Sequence, residues 1–253
     1  MWSFSYGWEK SFRTEKMADR SILVLQVLLI LLVPILLVLV SVRFMLTETW
    51  LKFEYNRSGF PEDLYGWDTG VRLKYGPYGI RYLLNDEDIS YLGDLKIDGQ
   101  PAFREKELDH MEDVKVVTRG ALTVLKLCLL FFVIGMGVLA YFSRSRLLSV
   151  LFYGGASTLI AVAVLVMLVF VSWDFFFDNF HAIFFDEGSW QFYRDDTLIR
   201  LYPQQFWFES SLMVGILTIG GAVFCMIIPW WVRSRKENTS AIVTGKQIGR
   251  AHV

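Results

Sequence analysis

SILVLQVLLILLVPILLVLVSVRFML, residues 21–46, contains no Asp, Glu or Lys and a single Arg, Arg43, close to its end. A helix of that length, rising 1.5 Å per residue, crosses the roughly 30 Å of hydrocarbon in a bilayer. The run has no polar face, so it is expected to lie in lipid, not against a water-soluble core. Pro34 sits inside it; a proline is tolerated in a span where neighbouring helices satisfy the freed carbonyl, and a kink is expected there.

Three more runs read the same way: residues 120–142, 147–172 and 208–232. Hydrophobic residues make up 54% of the 253-residue chain, and their collection into long runs, without alternation, decides the class: an all-α membrane protein, a four-transmembrane-helix bundle with an extracytoplasmic α-rich segment. The net charge of −1 gives no reason to expect nucleic acid as a partner. The first run begins after a polar segment and is too long for the apolar region of a signal peptide, so no cleavable leader is expected. Cys128 and Cys225 both fall within apolar runs, outside any C-x-x-C pair, and read as inert packing residues.

Orientation follows from the basic residues of the short connections. Residues 1–20 carry Lys10, Arg13, Lys16 and Arg20, the 143–146 turn is Ser143-Arg144-Ser145-Arg146, and Arg233, Arg235 and Lys236 follow the fourth run. The positive-inside rule puts all three on the cytoplasmic side of the cell membrane, with both termini inside. Residues 47–119 and the acidic 173–207 loop then face outward. The 233–253 tail ends in Ile248-Gly249-Arg250-Ala251-His252-Val253, which resembles the translation of a sequencing adapter; these residues, with His252, are treated as non-native.

In 47–119, Gly59-Phe60-Pro61, Gly66, Gly70 and Gly76-Pro77 read as turns, Ile80–Leu84 as a short amphipathic piece on the membrane surface, and Asp98–Pro101 as a turn. From Phe103 the sequence predicts a helix running into the second span. The segment is small for an independent core and is expected to rest on the span ends and on the second outer loop. That loop is dense in aromatics: Phe175, Phe176, Phe177, Phe180, Phe184, Phe185, Trp190, Phe192 and Tyr193. They suit either an interfacial aromatic belt or the wall of a lipid-binding site.

Apart from His252, the histidines are His110 and His181, one in each outer segment. A pair of imidazoles at the outer surface suits proton transfer, since their ordinary pKa is about 6.5. On a helix, Asp113 lies three residues beyond His110 and is placed to orient its ring. The plainer reading is two ordinary interfacial histidines. A zinc site built from both with Asp109, Glu112, Asp113, Asp178 or Asp186 is a further alternative, although the spacing does not demand it. Neither G-x-S-x-G nor H-E-x-x-H occurs, and no Gly-Lys phosphate loop precedes a helix.

At the two histidines the sequence resembles the four-span integral membrane family that includes the lipoprotein intramolecular transacylase. The matching residues are His110-Met111, Asp113-Val114-Lys115, Phe180-His181, Phe184-Phe185, Trp190, Phe192, Asp196, Leu198-Ile199, Pro203 and Phe206, and the likeness extends from about Ser21 to Val232. It implies that the sn-2 acyl chain of a diacylglyceryl-modified lipoprotein moves to the α-amine of its N-terminal cysteine, leaving a lyso-form lipoprotein. His110 and His181 are then the catalytic pair, with Asp113, Lys115, Phe180, Trp190 and Asp196 in support. No cofactor or metal is needed. The implied partners are diacylglyceryl lipoproteins and membrane lipids, the chain acting as a monomer with its active site on the extracytoplasmic face. A membrane metallohydrolase and a non-enzymatic lipid- or protein-binding protein are the alternatives.

Overall fold

The computed structural model describes the backbone of residues 3–250 and the side chains of residues 19–167, 171–232, 234 and 235. The side chains of Lys10, Arg13, Lys16, Arg233 and Lys236, and all of His252, lie outside the described residues. Four long helices dominate: α1 (Ser3–Met45), α5 (Glu105–Phe142), α6 (Arg144–Val171) and α9 (Gln204–Arg250). Between α1 and α5 come α2 (Glu48–Tyr55), α3 (Thr69–Leu84), α4 (Ser90–Gly93) and a two-stranded hairpin, β1 (Lys96–Ile97) with β2 (Gln100–Pro101). Between α6 and α9 lie α7 (Trp173–Phe184) and α8 (Thr197–Leu201). All four long helices contain a stretch apolar enough to cross a membrane. Outward-facing Leu31, Val133, Ile160 and Phe224 are exposed, as lipid-covered side chains would be.

The chain forms two compact units. The first comprises Met1–Leu37, Cys128–Ala161 and Thr218–Val253. Its core is a small cluster of Leu29, Val33, Leu139 and Val150. Small residues bring the helices close there. A Cβ on Gly154 would lie 2.6 Å from Val33 Cγ2, and one on Gly155 would lie 2.5 Å from the Ala222 carbonyl oxygen. Without a hydrophobic force between lipid-immersed helices, close packing of this kind is what associates them. Ser143 accepts a bond from the Arg146 amide, so α6 starts at Arg144, three residues earlier than the apolar pattern indicates. Arg146 in turn reaches Asp19 (2.6 Å) and Gln26 (3.1 Å) on α1. α1 continues through Pro34.

The second unit comprises Val38–Leu127 and Val162–Leu217 and holds the larger core. Trp50, Leu51 and Tyr55 of α2, Ile80, Tyr82 and Leu83 of α3, and Met111 of α5 pack with Leu198, Leu201, Tyr202 and Phe206. The expected reliance of the first outer segment on the second is met: about a quarter of this core comes from beyond residue 197. Two readings of 69–84 require correction. Gly70, Gly76 and Pro77 are not turns but helical positions of α3, which starts where Asp68 accepts a bond from the Val71 amide. Ile80–Leu84 is not a surface piece, since Ile80, Tyr82 and Leu83 are buried. The glycines mark close approach instead of chain reversal. The Tyr55 ring lies against Gly76, the Tyr202 ring against Gly79, and the Tyr202 hydroxyl donates to the Gly76 carbonyl. Asp98 and Gly99 do form a turn, both with positive φ (52° and 81°), as a tight hairpin requires.

Gly79→Ala therefore drives a methyl into the Tyr202 ring, whereas nothing lies within 4 Å of a methyl added at Gly120. The first substitution is expected to cost about 1–3 kcal/mol and the second to be neutral or slightly stabilising. Thermal unfolding of both variants in detergent checks this.

Candidate active site

The site begins at the polar lead-in of α5, ahead of the apolar stretch that follows Gly120. Glu107 is 1% exposed, and both of its carboxylate oxygens accept backbone amides: Oε2 from Arg104 (2.8 Å) and Oε1 from Leu198 (2.7 Å). The first bond caps α5 in the manner of a capping box. The second caps α8, whose own N-cap residue Asp196 makes no side-chain cap bond. Asp196, also buried, accepts the Tyr193 amide (2.6 Å) and the Arg104 guanidinium, and Thr197 donates to the Ala102 carbonyl. Lys106 adds a bond to the Gln191 carbonyl (2.6 Å). Residues 102–107 are thereby laced to residues 191–198, and His110, one turn beyond Glu107, is turned toward the aromatic loop.

There the His110 ring lies 4.9 Å from Phe185 and 5.3 Å from Phe192, centroid to centroid. Its Nδ1 is buried with no hydrogen-bond partner. The expectation that Asp113 orients this ring fails. Asp113 has the spacing to reach it, but its side chain is exposed while the imidazole turns inward among the rings. Burial, then the nearby His181 and Lys106, pushes the His110 pKa down to about 4.

His181 comes from α7, whose N-cap Ser172 accepts the Phe175 amide. Residues 173, 177 and 181 form one ridge of this helix. The His181 Nδ1 lies 2.8 Å from the Phe177 carbonyl oxygen. A carbonyl can only accept, so Nδ1 carries the proton and Nε2 is left with a free lone pair. Trp190 stacks on the ring at 4.6 Å, Phe177 lies at 4.1 Å, and Phe180 meets it edge-on at 5.6 Å. Burial lowers the His181 pKa, while the Phe177 carbonyl and Asp178 partly offset it. Phe185 touches both imidazoles, at 4.9 Å and 5.7 Å, so their centroids lie within about 11 Å of each other.

Of the sequence-selected supporting residues, Phe180 and Trp190 touch His181, and Asp196 holds the loop. Lys115 is elsewhere: its ammonium bonds Asn85 and the Glu87 carbonyl and lies 3.8 Å from the Tyr82 ring, tying α5 to the end of α3. Sequence reasoning missed Glu107 and Arg104. The signal was a Glu three residues into a helix that opens at Arg104. Among the described residues no three His, Cys, Asp or Glu side chains gather as a metal site would require, so the zinc alternative finds no donor set.

A model of the lipoprotein intramolecular transacylase family matches residues 27–207, which include both histidines and their aromatic surround. The chain belongs to that family. A protein of Aquifex aeolicus, described only as uncharacterized, is 30% identical over 195 residues, 77% of this chain and 88% of that one. The solved structures of the membrane-integral lipoprotein intramolecular transacylase of Bacillus cereus share the fold. One superposes with a TM-score of 0.74 at 18% identity, covering 87% of this chain and 99% of that one. A variant with a histidine replaced by arginine gives 0.72 at 17% identity, over 90% and 99%. With four apolar helices and this fold, the chain is a multi-pass membrane protein.

The depressed His110 pKa has a consequence for stability. The folded state binds that proton less tightly than the unfolded chain, so this contribution is complete above pH 6.5 and is lost as pH falls from 6.5 towards 4. Thermal stability is expected to decline over that window and to decline less in His110→Gln. Melting curves across pH 4–7.5 measure it.

Proposed function

We propose that this transacylase family member moves the sn-2 acyl chain of a diacylglyceryl lipoprotein to the α-amine of its N-terminal cysteine, at the outer face of the cell membrane. The observation that carries this reading is the pair of half-buried imidazoles in one aromatic nest, one with a fixed tautomer and one held neutral.

An α-amine has a pKa of about 7.7–8.0, so a fraction is free to attack at neutral pH. Attack on the sn-2 ester carbonyl forms the C–N bond and leaves an acidic ammonium on the tetrahedral carbon. His181 Nε2 takes that proton and delivers it to the glyceryl oxygen as the C–O bond breaks. His110 is kept neutral by burial, and a neutral imidazole offers an N–H to the developing oxyanion without first having to lose charge. Nucleophile and ester belong to one lipidated cysteine, so holding its chains among the aromatics supplies attack geometry, a contribution of up to about 7–11 kcal/mol. Phe180 and Trp190 hold the base, and Asp196 with Glu107 holds the loop that carries them.

The test is mass spectrometry of a model lipoprotein's N-terminal lipopeptide, co-produced with this protein in a host that lacks N-acylation. An acyl chain shifted from glycerol to the amine is expected, with conversion falling at least a hundredfold (roughly the lower bound for losing a general acid or base) in His110→Ala and in His181→Ala. Full conversion by both variants would remove these residues from the reaction. Because both imidazoles are neutral near pH 7, the rate is expected to follow the free amine, rising about tenfold per pH unit below about 7.7.

A further inference from the structure

Among the described residues, the buried side-chain polar atoms without a hydrogen-bond partner are His110 Nδ1 and Trp173 Nε1. Both belong to the same aromatic nest. An indole N–H is a donor only, and leaving one buried and unbonded is unfavourable. Native structures keep few such groups, and each one kept calls for an explanation, a catalytic or binding role among them. His110 has that explanation in the proposed reaction. Trp173 has none so far.

Trp173 opens α7 directly after α6 and occupies the ridge that carries His181. Its ring lies 5.8 Å from Phe176, 5.8 Å from Phe177 and 5.1 Å from Phe208. Phe177 also lies 4.1 Å from His181, so the indole and the imidazole are no more than about 10 Å apart. The separation along the ridge is about 12 Å between Cα atoms, eight residues at 1.5 Å each, which is too far for the indole to bond the same substrate atom as His181. It suits the reach of a second carbonyl on the same glyceryl unit.

We infer that the Trp173 indole N–H donates to the sn-1 ester carbonyl of the substrate's diacylglyceryl group, placing the sn-2 ester at the histidines. The inference rests on the reaction proposed above for its choice of ligand. A donor-only group in an apolar surround selects an uncharged acceptor, and an ester carbonyl is the acceptor a lipid brings to this depth. Phe208, the ring packed edge-on against the indole, is 36% exposed. Trp173 is thus a positioning residue: it fixes which of two chemically similar esters faces His181.

The experiment measures binding of a synthetic diacylglyceryl-cysteine peptide, and of its analogue with an ether at sn-1, to the full-length protein and to Trp173→Phe. The wild-type protein is expected to bind the diester three- to tenfold more tightly than the sn-1 ether, the span of one neutral hydrogen bond. Trp173→Phe is expected to bind both ligands equally, at the affinity of the ether. Equal binding of the two ligands by the wild-type protein would overturn the inference, whatever the variant does. So would a variant that still prefers the diester. Turnover in the same samples separates the two levels: absent acyl transfer with the preference intact would remove the proposed reaction and leave the Trp173 contact standing.

Discussion

Glu107 is a carboxylate with almost no exposed surface, and burying it is unfavourable unless its oxygens are bonded. Here each oxygen accepts a backbone amide, one at the start of α5 and one at the start of α8. The arrangement joins two helix termini distant in sequence and leaves His110 a single turn away. Desolvation raises the Glu107 pKa, and the two amides work against it. The position of His110 relative to Phe185 and Phe192 follows from this junction. Asp196, Thr197 and Lys106 reinforce it with bonds of their own to or from the 102–107 strip.

The same burial that makes Glu107 costly sets the chemistry of the histidines. Surrounded by rings, neither imidazole holds a proton as tightly as in water. In the reaction proposed above, whose nucleophile is a lipid-borne amine, that is useful. A histidine that stayed protonated would offer no lone pair and would repel the substrate's ammonium. The Phe177 carbonyl settles the second question, which nitrogen is basic, through the backbone of the helix that presents the ring. The aromatic residues therefore act as the dielectric of the site as well as its wall.

The spans were legible because lipid demands length and apolarity of a whole run, and residues 21–46 supply both, with their single charge, Arg43, near the end. The two histidines stood out by chemistry and by resemblance. What the sequence concealed was tertiary. Gly76-Pro77 has the composition of a turn, and only the tyrosine rings packed on Gly76 and Gly79 show why glycines serve in a helix there. Asp113 has the right spacing to serve His110, but spacing cannot say which way an imidazole turns. Lys115 falls within the matched motif yet binds the end of α3. Glu107 was one acidic residue among several until the partner amide of Leu198, far along the chain, came beside it.

The central claim is that His110 and His181 act as one unit on one reaction. Kinetics of His110→Ala, His181→Ala and the double variant test it most directly, with kcat/KM measured on a diacylglyceryl lipopeptide. Residues that serve the same step are grossly non-additive. The account predicts a double variant about as slow as the slower single one. A double variant whose loss equals the product of the two single losses would contradict it and make the histidines independent contributors.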